Sequence, residues 1–159
     1  MRAARALFAI VVLPGTLAGL APFLVDGRAL RRLDGTPAGW PVLALGLAVF
    51  AWCVRDFFVI GRGTLAPWDP PRRLVVVGLY RVVRNPMYVG VLLVLLGETL
   101  LAGSWALAGY TAVVAAGFHV RVVVAEEPAL ARSFPDDWPA YTAAVSRWWP
   151  RWPVAVRDA

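Results

Sequence analysis

The chain contains no lysine: all 16 of its basic residues are arginine. Charge is scarce altogether, at 16% of residues against about one quarter in an ordinary soluble domain. There is one cysteine, Cys53, and one histidine, His119. A lone cysteine excludes a disulfide within the chain. Together the two counts exclude a transition-metal cluster and a Cys-His dyad, so no metal is expected. No P-loop and no Gly-x-Gly-x-x-Gly after a strand is present. The arginines do not form stripes interleaved with stacking aromatics, which argues against nucleic acid as a partner.

Apolar residues fill the space that charge leaves. The chain is 60% hydrophobic, with mean hydropathy +0.65. Residues 6–25, between Arg5 and Asp26, carry no charge, and about 20 such residues cross the hydrocarbon core as a helix. Pro14 and Pro22 fall inside this run, where membrane helices tolerate them. A cleaved signal peptide is the rival reading, with Arg2 and Arg5 as its basic start. The run is longer than a signal core, which favours a retained helix. A second uncharged run follows Asp34, and Trp40 and Pro41 suit an interfacial start to a helix over about 40–60. From Asn85 to Val120 the only acid is Glu98 and there is no arginine. That stretch is too long for one crossing and fits two helices, about 86–102 and 105–124, turning at Gly103-Ser104. The expected fold is all-α and integral to the membrane, with four transmembrane helices in one domain.

Two polar segments flank these helices. Residues 61–85 hold Gly61, Gly63, Pro67, Pro70 and Pro71, which argue against regular helix in their first half. The tail, 126–159, is amphipathic and predicts short interfacial helices near 126–134 and 137–146. Trp148, Trp149 and Trp152 beside Arg147 and Arg151 suit a membrane-surface anchor. With four spans, the N-terminus, the 61–85 connection and the tail share one side. Most of the arginines lie there, against Arg28, Arg31 and Arg32 opposite, so that side is expected to be cytoplasmic.

Three features suit chemistry. The first is Gly78 to Gly90, a polar and aromatic cluster at the mouth of the third helix. Free amides at a helix start favour a carboxylate ligand, though a plain helix entry anchored by Tyr and Arg has the same composition. The second is Glu126-Glu127. Paired acids at the end of the fourth helix oppose its dipole and call for a positive partner, a local arginine or a cationic ligand. Alternatively they open the next helix, with Pro128 well placed. The third is Glu98 and His119 at membrane depth, where ionisable groups are functional candidates. An interhelical hydrogen bond explains them equally, and Glu98 reads as structural. His119 lies seven residues before Glu126, on the same face of a regular helix.

These stretches together resemble bacterial relatives of isoprenylcysteine carboxyl methyltransferase and phosphatidylethanolamine N-methyltransferase. GRGTLAPWDPPRRLVVVGLY, RNPMYVG, and EEPAL followed by Phe134, Trp138, Tyr141 and RWWPRW carry the likeness, over roughly residues 55–153. The second block resembles the family's Arg-His-Pro-x-Tyr, the third its Glu-Glu-x-x-Leu. The resemblance implies S-adenosylmethionine bound at the cytoplasmic ends of the last two helices. It implies cofactor contacts at Leu74, Val75, Tyr80, Asn85, Pro86, Met87, Tyr88, Glu126 and Glu127. It implies a substrate contact at Arg121, whose offset differs from the family's by one residue; Arg121 and His119 are the catalytic candidates. The implied acceptor is lipophilic: an isoprenylcysteine-like carboxylate, a lipid amine or a small molecule. The implied setting is a bacterial inner membrane with both termini cytoplasmic. Asn85 stands where eukaryotic relatives have histidine, and Pro135 and Trp138 replace a usual Gly and Tyr. An NADPH-dependent reductase of sterol-reductase type and a non-catalytic scaffold with the same fold are the alternatives. The oligomeric state is not legible.

Overall fold

The computed structural model describes residues 14–59, 74 and 76–150. The start of the first expected span, Val75, most of the 61–85 connection and the tail beyond Pro150 lie outside the described residues. Among the described residues every regular element is helical. A π turn, Thr16–Leu20, leads into α1 (Ala21–Arg32). Then come α2 (Gly39–Val59), a 3-10 turn (Gly78–Arg81) and α3 (Pro86–Ala102). Next is α4 (Trp105–Arg121), continued by a second π turn, Val122–Glu126. Two short helices close the fold, α5 (Glu127–Ser133) and α6 (Asp137–Ala144).

Two helical stretches, Gly39–Asp56 and Trp105–Ser133, are long and apolar enough to cross a membrane. The third expected span is α3, whose 17 residues rise about 25 Å, near the lower limit for a crossing.

Local sequence explains where the elements stop. Pro86 opens α3, where a missing N–H costs nothing. Gly103 closes it in the left-handed region, φ 60°, with its N–H on the Thr99 carbonyl. Ser104 then caps α4, its hydroxyl oxygen accepting from the Leu107 N–H at 3.3 Å. Both π turns precede a proline. Ala21 N–H reaches back to Thr16 and Glu127 N–H to Val122, five residues each, just before Pro22 and Pro128. Proline has no N–H and its ring crowds the carbonyl a turn below, so a widened turn accommodates it.

Two expectations need correction. The uncharged run that ends before Asp26 predicts that the first helix stops there and a short charged loop follows to Asp34, yet the chain stays helical to Arg32. Asp26 itself leaves helical geometry (φ −153°, ψ 63°), and its Oδ1 accepts from the Ala29 N–H, restarting the helix. Its Oδ2 accepts the Ser104 hydroxyl at 2.6 Å, which ties this kink to the α3–α4 turn. The fourth helix does not end near Val124; the π turn carries it into α5 without a break.

The tightest packing is the antiparallel α2–α3 seam. A Cβ on Gly46 would lie 2.6 Å from the Val94 nitrogen, and one on Gly97 2.6 Å from Leu43 Cβ. A Cβ on Gly39 would lie 2.6 Å from Leu101 Cγ, and one on Gly90 2.9 Å from the Phe50 nitrogen. Each glycine pair, 39 with 46 and 90 with 97, is two helical turns apart, so one stripe on each helix lets the backbones touch. Lipid removes the hydrophobic drive between helices, and close backbone approach supplies dispersion contact instead. A second cluster of Val91, Leu95 and Val114, with Leu17, Phe50 and Phe118 against it, joins α3 to α2, α4 and the first π turn.

Candidate active site

The antiparallel seam brings the end of α2 and the start of α3 to one face. The α4–α5 junction and the chain after α6 meet them there. Four groups of side chains occupy this mouth.

Tyr88, one turn into α3, donates its hydroxyl proton to Glu126 Oε1. Arg121 Nε donates to the same Tyr88 oxygen at 3.1 Å and to Glu126 Oε1 at 2.7 Å. The π turn puts Glu126 here. Phe118 packs on the Tyr88 ring with centroids 4.4 Å apart, fixing its orientation. Glu126 keeps 31% of its side chain exposed and Arg121 49%, so this group is reachable from outside.

Glu127 points elsewhere. Arg147 grips it with two parallel bonds, Nε to Oε1 and Nη2 to Oε2, both 2.7 Å. Arg84 Nη1 adds a third contact at 3.1 Å. Forked guanidinium–carboxylate pairs are among the stronger polar contacts. The hydrogen bonds to Glu127 raise the Arg147 pKa above its ordinary value. Burial pulls the Arg84 pKa down, with Glu127 opposing the shift. Arg84 also lies over the Trp138 ring at 5.7 Å, and its Nε is buried with no hydrogen-bond partner.

Backbone bonds fasten the tail to the same place. Arg84 N–H donates to the Ser146 carbonyl at 2.8 Å, and Asn85 Nδ2 to the Arg147 carbonyl at 3.2 Å. Tyr141, buried in α6, donates its hydroxyl to the Tyr80 carbonyl at 2.9 Å. Burial raises the pKa of both tyrosines well above the ordinary phenol value. Tyr80 packs with Cys53, and Met87 joins that cluster. Pro86 is fully buried beneath the group, and Leu74 is half-buried.

His119 does not pair with Glu98. Its Nδ1 accepts from Trp148 Nε1 at 3.1 Å. Glu98 sits toward the far end of α3 with Oε2 buried and without a partner, so the expected interhelical hydrogen bond is not made by that oxygen. Nor does His119 share a face with Glu126. The extra residue of the π turn shifts the helix register. His119 and Glu127 therefore meet neighbouring tail residues, Trp148 and Arg147, while Glu126 turns to α3.

The structure thus gathers Tyr88, Arg121 and Glu126 into one hydrogen-bonded group, with Asn85, Pro86, Met87 and Glu127 around it. Both acids pair with arginines, Glu126 with the nearby Arg121 and Glu127 with the sequence-distant Arg84 and Arg147. Sequence reading placed Arg84 in the helix-mouth cluster and Arg147 in an anchor without linking either to Glu127. The forked pairing joins residues 20 apart and leaves no local pattern.

Fold and site together define a helical membrane protein whose polar centre lies at one end of its helices, among aromatic and arginine side chains. A family model described as phospholipid methyltransferase matches residues 42–137. This covers α2 through the start of α6, more than half of the chain, and the chain belongs to the phospholipid methyltransferase family. No curated protein and no solved structure matches it. The family is one of membrane methyltransferases, for which S-adenosylmethionine is in general the methyl donor.

Proposed function

We propose that this chain transfers a methyl group from S-adenosylmethionine to a lipophilic acceptor at the cytoplasmic face of a bacterial inner membrane. In this reading four helices cross the bilayer. Both termini then face the arginine-rich, cytoplasmic side. One observation supports it most: Glu126, held by Tyr88 and Arg121, is a partly exposed carboxylate at the mouth of α3.

The donor set fits the methyl donor's functional groups. Glu126 pairs with its ammonium, replacing the exposed Arg121 contact. Arg84 Nε, buried and unpartnered, and the first amides of α3 receive its carboxylate. Tyr88 packs beside the sulfonium, a contact worth about 0.5–2 kcal/mol. Tyr80, Pro86 and Met87, with Leu74, form the apolar wall. Asn85 and Glu127 act indirectly by holding the tail over the site. Arg121, once released from Glu126, faces the acceptor.

When bound, S-adenosylmethionine supplies a methyl group already activated on sulfur. The protein's task is then alignment and exclusion of water more than acid-base work. A site with a single histidine, whose Nδ1 is occupied by Trp148, is consistent with that. The acceptor class follows the family's description, a phospholipid; an isoprenylcysteine-like carboxylate or a small lipophilic molecule would use the same entry from the bilayer.

Isothermal titration of the detergent-solubilised protein tests the reading. S-Adenosylhomocysteine should bind, and Glu126→Gln should weaken it by about tenfold or more with helicity retained. Removing both acids, Glu126→Ala with Glu127→Ala, should abolish binding. NADPH binding in its place would replace this reading with a reductase. Binding of neither would leave a scaffold.

A further inference from the structure

Two neighbouring residues of the tail are pinned by different chemistry. Arg147 is held through its forked pair with Glu127, a contact between charges. Trp148 is held by one hydrogen bond, from its Nε1 to His119 Nδ1 at 3.1 Å. Trp149, the next residue, is 80% exposed. An indole N–H can only donate, so His119 Nδ1 offers its lone pair and the ring proton sits on Nε2. The imidazole is therefore neutral in this arrangement. It has no second lone pair, so it cannot serve as a base without giving up Trp148.

Trp148 connects His119 to the proposed donor site. Its ring centroid lies 6.2 Å from that of His119 and 6.4 Å from that of Tyr88. Phe118, the residue before His119, packs on the same Tyr88 ring at 4.4 Å. Two consecutive residues of α4 thus bear on Tyr88, Phe118 by direct contact and His119 through Trp148. Tyr88 in turn carries the hydroxyl that meets both Glu126 and Arg121.

We propose that His119 is a positioning residue: by accepting from Trp148 it seats that indole beside Tyr88 and keeps the Tyr88–Glu126 pair in the geometry that binds the methyl donor. The inference rests on the methyltransferase reading above. Glu127, on α5, reaches His119 electrostatically, and it is itself held by Arg147 of the tail and by Arg84 ahead of α3. Arg121 and Glu126, further along the same helix, bind one another and Tyr88. A second proton on the imidazole would occupy Nδ1 and leave the indole N–H without an acceptor. The hold is therefore present at alkaline pH and lost as pH falls through the range where an imidazole titrates.

Isothermal titration of S-adenosylhomocysteine into the full chain in detergent, at pH 8 and pH 5.5, tests this. His119→Phe keeps a flat ring without an acceptor, and Trp148→Phe keeps one without a donor. At pH 8 each should bind about fivefold more weakly than wild type. The double variant should match Trp148→Phe, because both changes remove one bond. His119→Asn, whose amide oxygen can accept near the place of Nδ1, should restore binding at pH 8 and keep it at pH 5.5. Wild type should fall at pH 5.5 to the level of His119→Phe. Undiminished binding by His119→Phe overturns the inference, as do losses that multiply in the double variant. So does a pH dependence that His119→Asn retains, or a loss in His119→Phe matched by a lowered melting temperature. In each of these cases wild-type binding at pH 8 leaves the methyltransferase reading standing, whereas its absence ends both.

Discussion

The α2–α3 seam and the mouth of α3 lie a few turns apart on one helix and are held by opposite means. The seam depends on missing side chains; Gly46 and Gly97 let one helix backbone close on the other. The mouth is held by long side chains, with Arg84 and Arg147 converging on Glu127 and Tyr141 reaching Tyr80. Depth accounts for the difference. In lipid an unpaired polar group is costly, so contact comes from shape alone. At the surface water screens and competes, so charge can be spent on holding loops and ligands. The seam therefore fixes which ends of the helices meet, and the mouth fixes what those ends do.

The largest effect is expected in the seam. Gly97→Leu forces a side chain into the Leu43 backbone and should destabilise the protein by about 3 kcal/mol or more, read as a lower melting temperature in detergent. A tolerated leucine would mean that the two backbones do not touch there. At the mouth, Glu127→Gln leaves Arg84 and Arg147 facing one another. The side chain is 16% exposed, so the loss is set at about 2 kcal/mol, below that of a fully buried pair. Trypsin should cut the tail faster in this variant, and added salt should narrow the gap from wild type. Equal cleavage would show that the tail is held by its backbone bonds alone. Tyr141→Phe removes one buried hydrogen bond and should cost about 1 kcal/mol. Glu126→Gln should change stability least, by under about 0.5 kcal/mol for a pair this exposed, while its effect on S-adenosylhomocysteine is the largest of any surface change. If Glu126→Gln destabilised as much as Glu127→Gln, the division of labour between the two acids would be lost.

Much of the architecture was legible because lipid and water impose strong, local rules. The uncharged run between Asp34 and Arg55 marked α2, and Gly103-Ser104 marked a turn through a left-handed cap followed by a hydroxyl cap. The seam had a signal that was not read: glycines at 39 and 46, and again at 90 and 97, repeat on one helix face. The extension of α1 to Arg32 was not legible, because Asp26 looks like a loop residue until Ser104 is seen to hold it. The partners of Glu126 and Glu127 were not legible either. Neighbouring acids look equivalent in a string, and only the π turn sends one to α3 and the other to the tail.

The sequence by itself determined that the described residues are helical, where α2 and α3 begin and the α3–α4 turn falls, and which family its motifs match, because hydropathy, proline and glycine act over a few residues. Tertiary structure alone decided which carboxylate is clamped and which is reachable. Those outcomes depend on side chains from α2, α3, the α4–α5 junction and the tail meeting at one end of the helices, and no local pattern specifies that meeting.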